Sequence, residues 1–186
     1  MLTSNLDGDA SNIIWADDNR SIYFTYDERG IRKIGQVTLN SSLREIVKGL
    51  GGTTLGRPYL SGGFHMSSNT IAFTYGQTNR PSNVAIVNSG KPLALTSLNE
   101  DLLGDRELGK VNEIIYSSSF DGQEIQGWYI TPPNFDPTKK YPLILEIHGG
   151  PHLAYGPNFS VEMQAMAAAG YVVFYNNYRG SLSYGE

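Results

Sequence analysis

The 186-residue sequence contains no cysteine and is poor in charge of either sign. Without thiols, the chain can form no disulfide, no thiolate zinc site and no cysteine nucleophile. Charged residues make up 17%, with 14 basic against 18 acidic side chains and no basic cluster, so nucleic acid is not an expected partner. No apolar run approaches the roughly 18 residues that span a bilayer, so no membrane partner is expected either.

An internal repeat occupies the first half of the chain. Residues 21–26 (SIYFTY) match residues 70–75 (TIAFTY), and each match lies among several short alternating segments separated by turn residues. In the first unit these segments are residues 13–15, 22–26, 34–39 and 44–47. Four short strands in about 40 to 50 residues are typical of one β-propeller blade.

The repeat therefore predicts antiparallel, all-β propeller blades within residues 1–109, ending in an acidic connecting segment at residues 98–110. A meandering β-sandwich with similar hairpins is the alternative. A propeller has about four to eight blades, and two units would leave edge strands unpaired. We therefore expect further sequence before Met1.

The pattern changes near residue 110. Residues 113–120 and 123–130 alternate on either side of Asp121-Gly122, which is a strong hairpin signal. The prolines that follow within residues 131–137 predict a loop.

Two short apolar runs follow, at residues 143–147 and 171–175, and both are typical of buried strands. Between them Ser160 can cap a helix that Gly170 ends. Strand, helix and strand in this order predict a parallel unit, so residues 110–186 are expected to form the start of an α/β domain.

A glycine-rich loop, residues 148–152 (HGGPH), follows the first of these strands. Ligands bind beyond the carboxyl ends of strands in α/β sheets, and bare glycine backbone can present an N–H to a developing oxyanion. A tight turn that merely requires glycine is the alternative.

Residues 110–186 resemble the hydrolase domain of the prolyl oligopeptidase family of serine peptidases, in its acylaminoacyl-peptidase and dipeptidyl-peptidase-like branch. The matching motifs occur in family order and at family-like spacing: Gly127-Trp128-Tyr129 with Pro132, Tyr141-Pro142, the HGGPH loop, Gly170-Tyr171, Asn177-Tyr178-Arg179-Gly180-Ser181 and Tyr184-Gly185. The resemblance implies β-propeller blades over residues 1–109, followed by the N-terminal, incomplete part of an α/β-hydrolase domain over residues 110–186.

The resemblance also implies a role for Gly150, whose backbone N–H would be one of two oxyanion donors. In the family the nucleophilic serine, the aspartate and the histidine follow this loop in that order, so all three are expected beyond Glu186. The chain alone would then be inactive. No cofactor and no metal are implied.

Other residues are weaker candidates for chemistry. Ser183 lacks the glycine two positions before it that a nucleophile elbow requires. His148 and His152 are not expected to be the general base, and the glycines between them exclude a helical metal pair. Arg179 is expected to pair with an acidic side chain, with a substrate carboxylate as its alternative partner.

The predicted function is hydrolysis of short peptides through an acyl-enzyme, with a peptide substrate as the partner. Two alternatives are an α/β-hydrolase esterase, which uses a similar loop, and an inactive propeller-type binding protein if the chain truly ends at Glu186. Self-association into a homo-oligomer is left open. The first residues lack the features of a signal peptide, so the compartment is also open, with the cytoplasm as the default.

Overall fold

Two β-sheets hold most of the regular structure in a computed structural model, which describes residues 1–150 and 152–185. The first sheet contains two antiparallel meanders of four strands. The first meander comprises β1 (Ser11–Trp15), β2 (Ser21–Glu28), β3 (Ile31–Thr38) and β4 (Leu43–Leu50). The second comprises β5 (Phe64–Ser67), β6 (Thr70–Tyr75), β7 (Asn83–Asn88) and β8 (Lys91–Ala94). The predicted repeat of four strands is confirmed, with its two matching segments in β2 and β6.

The two meanders join edge to edge. β4 pairs with β6 through the single register pair Leu50–Tyr75, so the eight strands form one continuous sheet. Side chains on both sides of this junction share one core: Ile34, Val47, Leu50, Phe64, Ile71, Phe73 and Ala85.

The second sheet has four strands in the order β11-β12-β10-β9. Its elements are β9 (Lys110–Ser117), β10 (Glu124–Thr131), β11 (Leu143–Glu146) and β12 (Val172–Asn177). β9 and β10 form the predicted hairpin around Asp121-Gly122, and the Asp121 carboxylate accepts the Gln123 N–H at 3.1 Å.

Two short helices accompany the sheets. The helix α1 (Glu100–Leu103) lies in the connection between them, and α2 (Val161–Ala168) lies between β11 and β12. Ser160 caps α2 as predicted, because its hydroxyl accepts the Met163 N–H at 3.2 Å. The helix packs on the second sheet around a buried cluster: Trp128, Ile130, Tyr155, Met163, Ala167, Val173 and Tyr175.

The predicted fold class, propeller blades followed by the start of an α/β-hydrolase domain, is wrong. The described residues form an all-β structure of two sheets with no closed propeller ring and no α/β-hydrolase part. β12 pairs in parallel with β11 only, and its other edge pairs antiparallel with β10. The helices have only four and eight residues, and none in the described ranges is long and apolar enough to cross a membrane.

The prediction that residues 143–147 form a buried strand is also wrong. β11 lies at the edge of its sheet, where Leu143, Leu145 and Ile147 are more than half exposed. Trp15, in β1, is likewise exposed. An apolar run indicates a strand but does not determine whether that strand lies at the centre or at the edge of a sheet.

The two sheets touch along one surface. The turn between β2 and β3 packs Gly30 against the buried ring of Trp128, and Ser183 accepts the Arg29 and Gly30 N–H groups at 2.7 and 2.8 Å. The loop at residues 51–62, between the two meanders, lies against residues 154–161 through backbone hydrogen bonds at Leu60, Gly156 and Val161. We call these two contacts the sheet interface.

Candidate active site

The glycine-rich loop begins where β11 ends. β11 and β12 are parallel neighbours, with Glu146 opposite Tyr175, so the chain leaves both strands at the same edge of the sheet. This arrangement brings residues 147–150 beside residues 178–181. Carboxyl ends of parallel strands are a common location for binding sites.

His148 is the buried anchor of the loop, with a side chain in hydrogen-bond contact at both ring nitrogens. Its Nδ1 lies 2.9 Å from the carbonyl oxygen of Gly149, and its Nε2 lies 2.9 Å from the Ser181 hydroxyl. The ring stacks on Tyr178 with centroids 4.5 Å apart, and the edge of Tyr155 meets it at 5.1 Å. The Tyr178 hydroxyl donates to the His148 carbonyl at 2.8 Å.

Gly149 and Gly150 lie on the exposed side of this anchor. Gly150 has φ of +137°, and a Cβ built there would lie 2.9 Å from the His152 nitrogen, so the position requires glycine. Its N–H makes no hydrogen bond within residues 1–150 and 152–185. Of the predicted loop, Pro151 lies outside the described residues.

Asn177, at the end of β12, holds the chain that follows the loop. Its amide oxygen accepts the Tyr155 N–H at 2.8 Å, and its amide nitrogen donates to the Tyr155 carbonyl at 2.9 Å. The same nitrogen lies 2.8 Å from the Tyr184 hydroxyl, which donates to Gln126 at 2.6 Å. This network ties residues 155 and 184 to the centre of the sheet.

Arg57 reaches the site from the loop at residues 51–62, between the two meanders. It forms an ion pair with Glu146, the last residue of β11, and its Nε lies 3.8 Å from a carboxylate oxygen of Glu162. Its Nη1 donates to the Tyr155 hydroxyl at 3.4 Å. Burial, followed by the neighbouring Tyr59, raises the pKa of Tyr155 to about 12, so its hydroxyl is neutral at ordinary pH.

The remaining candidates have structural partners. The Ser183 hydroxyl accepts the Gly30 N–H at the sheet interface, so it is not poised as a nucleophile. Arg179 pairs with Asp121 and donates to Ser118 at 2.7 Å, as expected, and its guanidinium hydrogen bonds lower the pKa of the Asp121 carboxyl. No cluster able to hold a metal ion is found among the described residues.

Three site residues had no role in the sequence predictions. Asn177 and Ser181 lie within a motif that carried the family resemblance, but the motif alone does not show which side chains they contact. Arg57 comes from a loop about 90 residues before its partner Glu146, and no local pattern links the two. Only the packing of the sheets brings them together.

Comparisons with known proteins identify relatives over nearly the whole chain, although no family model matches. The peptidase YuxL of Bacillus subtilis, described as uncharacterized, is 31% identical over 176 residues, which cover 93% of this chain and 25% of that protein. Dipeptidyl-peptidase 5 of Arthroderma otae is 30% identical over 195 residues, which cover 100% of this chain and 26% of that protein.

A solved structure of acylaminoacyl peptidase in complex with Z-Gly-Gly-Phe-chloromethyl ketone has the same fold. The two superpose with a TM-score of 0.81 at 27% sequence identity. The match covers 99% of this chain and 27% of the acylaminoacyl peptidase chain. The chain thus spans about a quarter of the length of the relatives it matches.

Proposed function

Since the chain belongs to the prolyl oligopeptidase family of peptidases, we propose that it is part of a serine-type peptidase that hydrolyses short peptides through an acyl-enzyme. The observation that carries this proposal is the match over 99% of the chain to a peptidase solved with a peptide chloromethyl ketone. The nucleophile, the general base and its orienting acid would be supplied by sequence beyond Glu186.

We assign a separate role to each of the two sheets. Residues 1–109 form the repeat unit with its connection, and residues 110–186 carry the glycine-rich loop. The sheet interface supports this division, because Arg57 from the first unit pairs with Glu146 directly before that loop. In the complete protein the first unit would then hold the base of the loop while the second presents it to the substrate.

Gly150 would donate its backbone N–H to the oxyanion of the tetrahedral intermediate. Its exposure, its φ of +137° and its N–H without a partner in the described chain support this role. A preorganised donor stabilises charge that develops only in the transition state, and removing one such donor typically costs about 10²–10³ in kcat.

The test of the reaction class uses the complete reading frame around these 186 residues. Purified complete protein should hydrolyse peptide p-nitroanilides, with the 186-residue chain as a control that shows no hydrolysis. Cleavage of p-nitrophenyl esters without any cleavage of peptides would favour an esterase. Cleavage of neither substrate class would contradict the proposal and leave a binding role.

The test of the Gly150 assignment replaces its N–H by a group that cannot donate. Proline is unsuitable because its φ of about −65° cannot reach the +137° found here. An ester oxygen in place of the Gly150 N–H keeps the backbone geometry, and it should lower kcat by about a hundredfold with little change in KM. The same replacement at Gly90, an exposed glycine with φ of +75° in the β7–β8 turn, is the matched control. An unchanged kcat would reject Gly150 as a donor.

A further inference from the structure

The contacts of His148 determine which of its ring nitrogens carries hydrogen. A carbonyl oxygen can only accept, so the 2.9 Å contact with Gly149 requires hydrogen on Nδ1. In a neutral imidazole the other nitrogen is then an acceptor, and the Ser181 hydroxyl, 2.9 Å away, donates to it. The Gly149 carbonyl therefore requires this tautomer of His148, and the Ser181 hydroxyl satisfies the remaining ring nitrogen by donating to it.

The direction of the Gly150 N–H depends on this hydrogen bond. In a trans peptide the C=O of one residue and the N–H of the next point in opposite directions within one plane. His148 is buried and draws the Gly149 carbonyl toward itself, so the Gly150 N–H of the same peptide points away from the ring. We propose that His148 and Ser181 are positioning residues that set the direction of this N–H.

The two glycines make a hydrogen bond that fixes the direction of this peptide necessary. The Gly149–Gly150 peptide has no side chain on either residue to restrict its rotation, and Gly149 is exposed with nothing within 4 Å of its Cβ position. The imidazole itself cannot easily rotate, since it lies between the Tyr178 face and the Tyr155 edge. His148 is the one side chain within the described chain that bonds to this peptide. Its ring is held by packing and by Ser181, and its carbonyl is held by the Tyr178 hydroxyl.

The inference rests on the proposed function, because a direction for the Gly150 N–H matters to rate only if that N–H binds the oxyanion. It goes further by assigning the control of the donor to two side chains that need not touch the substrate. A flipped peptide would present the Gly149 carbonyl instead and would lose the donor, which typically costs about 10²–10³ in kcat.

The test compares His148→Asn with His148→Gln in the complete enzyme. The Asn side-chain amide can occupy the place of Nδ1 and donate to the Gly149 carbonyl, whereas the longer Gln amide reaches toward Ser181 instead. Both variants lose the stacked ring, so each serves as the control for the other in folding. We expect His148→Gln to lose at least about tenfold more kcat than His148→Asn, with similar KM values.

A second pair covers the case in which neither variant folds. Ser181→Ala removes the hydroxyl that donates to Nε2 and leaves this buried nitrogen without its partner, and Ser181→Thr keeps the hydroxyl. Ser181→Ala should lower kcat several-fold and weaken a peptide aldehyde inhibitor by the same factor, whereas Ser181→Thr should restore both. Equal kcat in both members of either pair, with both members folded, would overturn the positioning role.

The Gly150 ester separates this inference from the proposed function. If the ester lowers kcat and His148→Gln lowers it no further in the ester background, the two changes act on the same donor and the inference is supported. If the ester lowers kcat but the His148 and Ser181 pairs show no difference, the donor stands and the positioning role is rejected. If the ester has no effect, the Gly150 assignment fails and the inference fails with it.

Discussion

At the scale of single residues, Tyr175 combines complete burial with a hydroxyl that has no hydrogen-bond partner among the described residues. The ring itself packs well, stacked on Trp128 at 5.6 Å and edge-on to Tyr155 at 5.7 Å. A buried hydroxyl without a partner costs about 1–3 kcal/mol in desolvation. The aromatic ring therefore stabilises this core while the hydroxyl opposes it.

Tyr175→Phe should raise the free energy of unfolding by about 1 kcal/mol, because it removes the hydroxyl and keeps the ring. Denaturant unfolding of both proteins measures the difference. Tyr171→Phe removes the hydroxyl of an exposed tyrosine and should change the value by less than about 0.5 kcal/mol. A clear loss of stability in Tyr175→Phe would show that the hydroxyl has a partner.

The same residue predicts an alkaline response. Burial raises the pKa of Tyr175 well above the ordinary value of 10.0, so the folded state keeps a proton that the unfolded state releases. The free energy of unfolding is therefore unaffected by this titration below about pH 10. Above about pH 10 it falls by up to about 1.4 kcal/mol per pH unit, because unfolding then releases the Tyr175 proton. Tyr175→Phe should therefore lose stability less steeply between pH 10 and 12 than the parent does.

At the scale of elements, the N-terminus of α2 depends on one hydroxyl with two roles. Ser160 accepts the Met163 N–H and also donates to the Gly56 carbonyl at 2.6 Å, so it caps the helix and fixes the loop between the meanders. Neither role needs a charge, and the side chain is buried. Loss of the hydroxyl would leave the Met163 N–H and the Gly56 carbonyl without this hydrogen-bond partner.

Ser160→Ala should lower the free energy of unfolding by about 0.5–2 kcal/mol, the usual range for a lost cap. Ser160→Thr keeps a hydroxyl for both partners and is the matched control. The two variants are compared by thermal unfolding followed by circular dichroism. An Ala variant as stable as the Thr variant would mean that neither hydrogen bond contributes.

Local signals predicted the elements better than they predicted the sheets. The Asp121-Gly122 turn, the Ser160 cap and the repeated strands depend on neighbours within a few residues, and all are present. The fold class depends on which strands pair across long distances. Nothing near β12 indicates that its second edge pairs antiparallel with β10, which turns the expected α/β unit into a mostly antiparallel sheet.

The site shows the same limit. The glycine-rich loop and its place after β11 could be predicted, because glycine next to an apolar run is a local pattern. The contacts of Ser181 with His148 and of Arg57 with Glu146 could not, because they depend on parallel register and on the packing of two sheets. Family resemblance identified the motif that contains Ser181 without revealing what its side chain contacts.

At the scale of the whole molecule, the sheet interface depends on a glycine. Gly30 has φ of +72°, and a Cβ there would lie 2.6 Å from Cη2 of Trp128, which is itself buried. The β2–β3 turn can approach the second sheet this closely only without a side chain. Gly122 has almost the same φ, +73°, but nothing lies within 4 Å of its Cβ position.

This pair of glycines separates backbone strain from contact between the sheets. Gly122→Ala should cost about 1–2 kcal/mol of unfolding free energy, the cost of a left-handed conformation for a side chain. Gly30→Ala should lower the free energy of unfolding by about 1–3 kcal/mol more than Gly122→Ala does, because the turn or the Trp128 ring must shift. A Trp128→Phe background removes the two ring carbons nearest that Cβ position, so most of the difference between the two substitutions should disappear there, with the Tyr155 carbonyl at 3.3 Å as the remaining tight contact. Equal costs in the parent protein would instead mean that the β2–β3 turn does not press on Trp128, and its contact with the second sheet would then rest on the hydrogen bonds to Ser183.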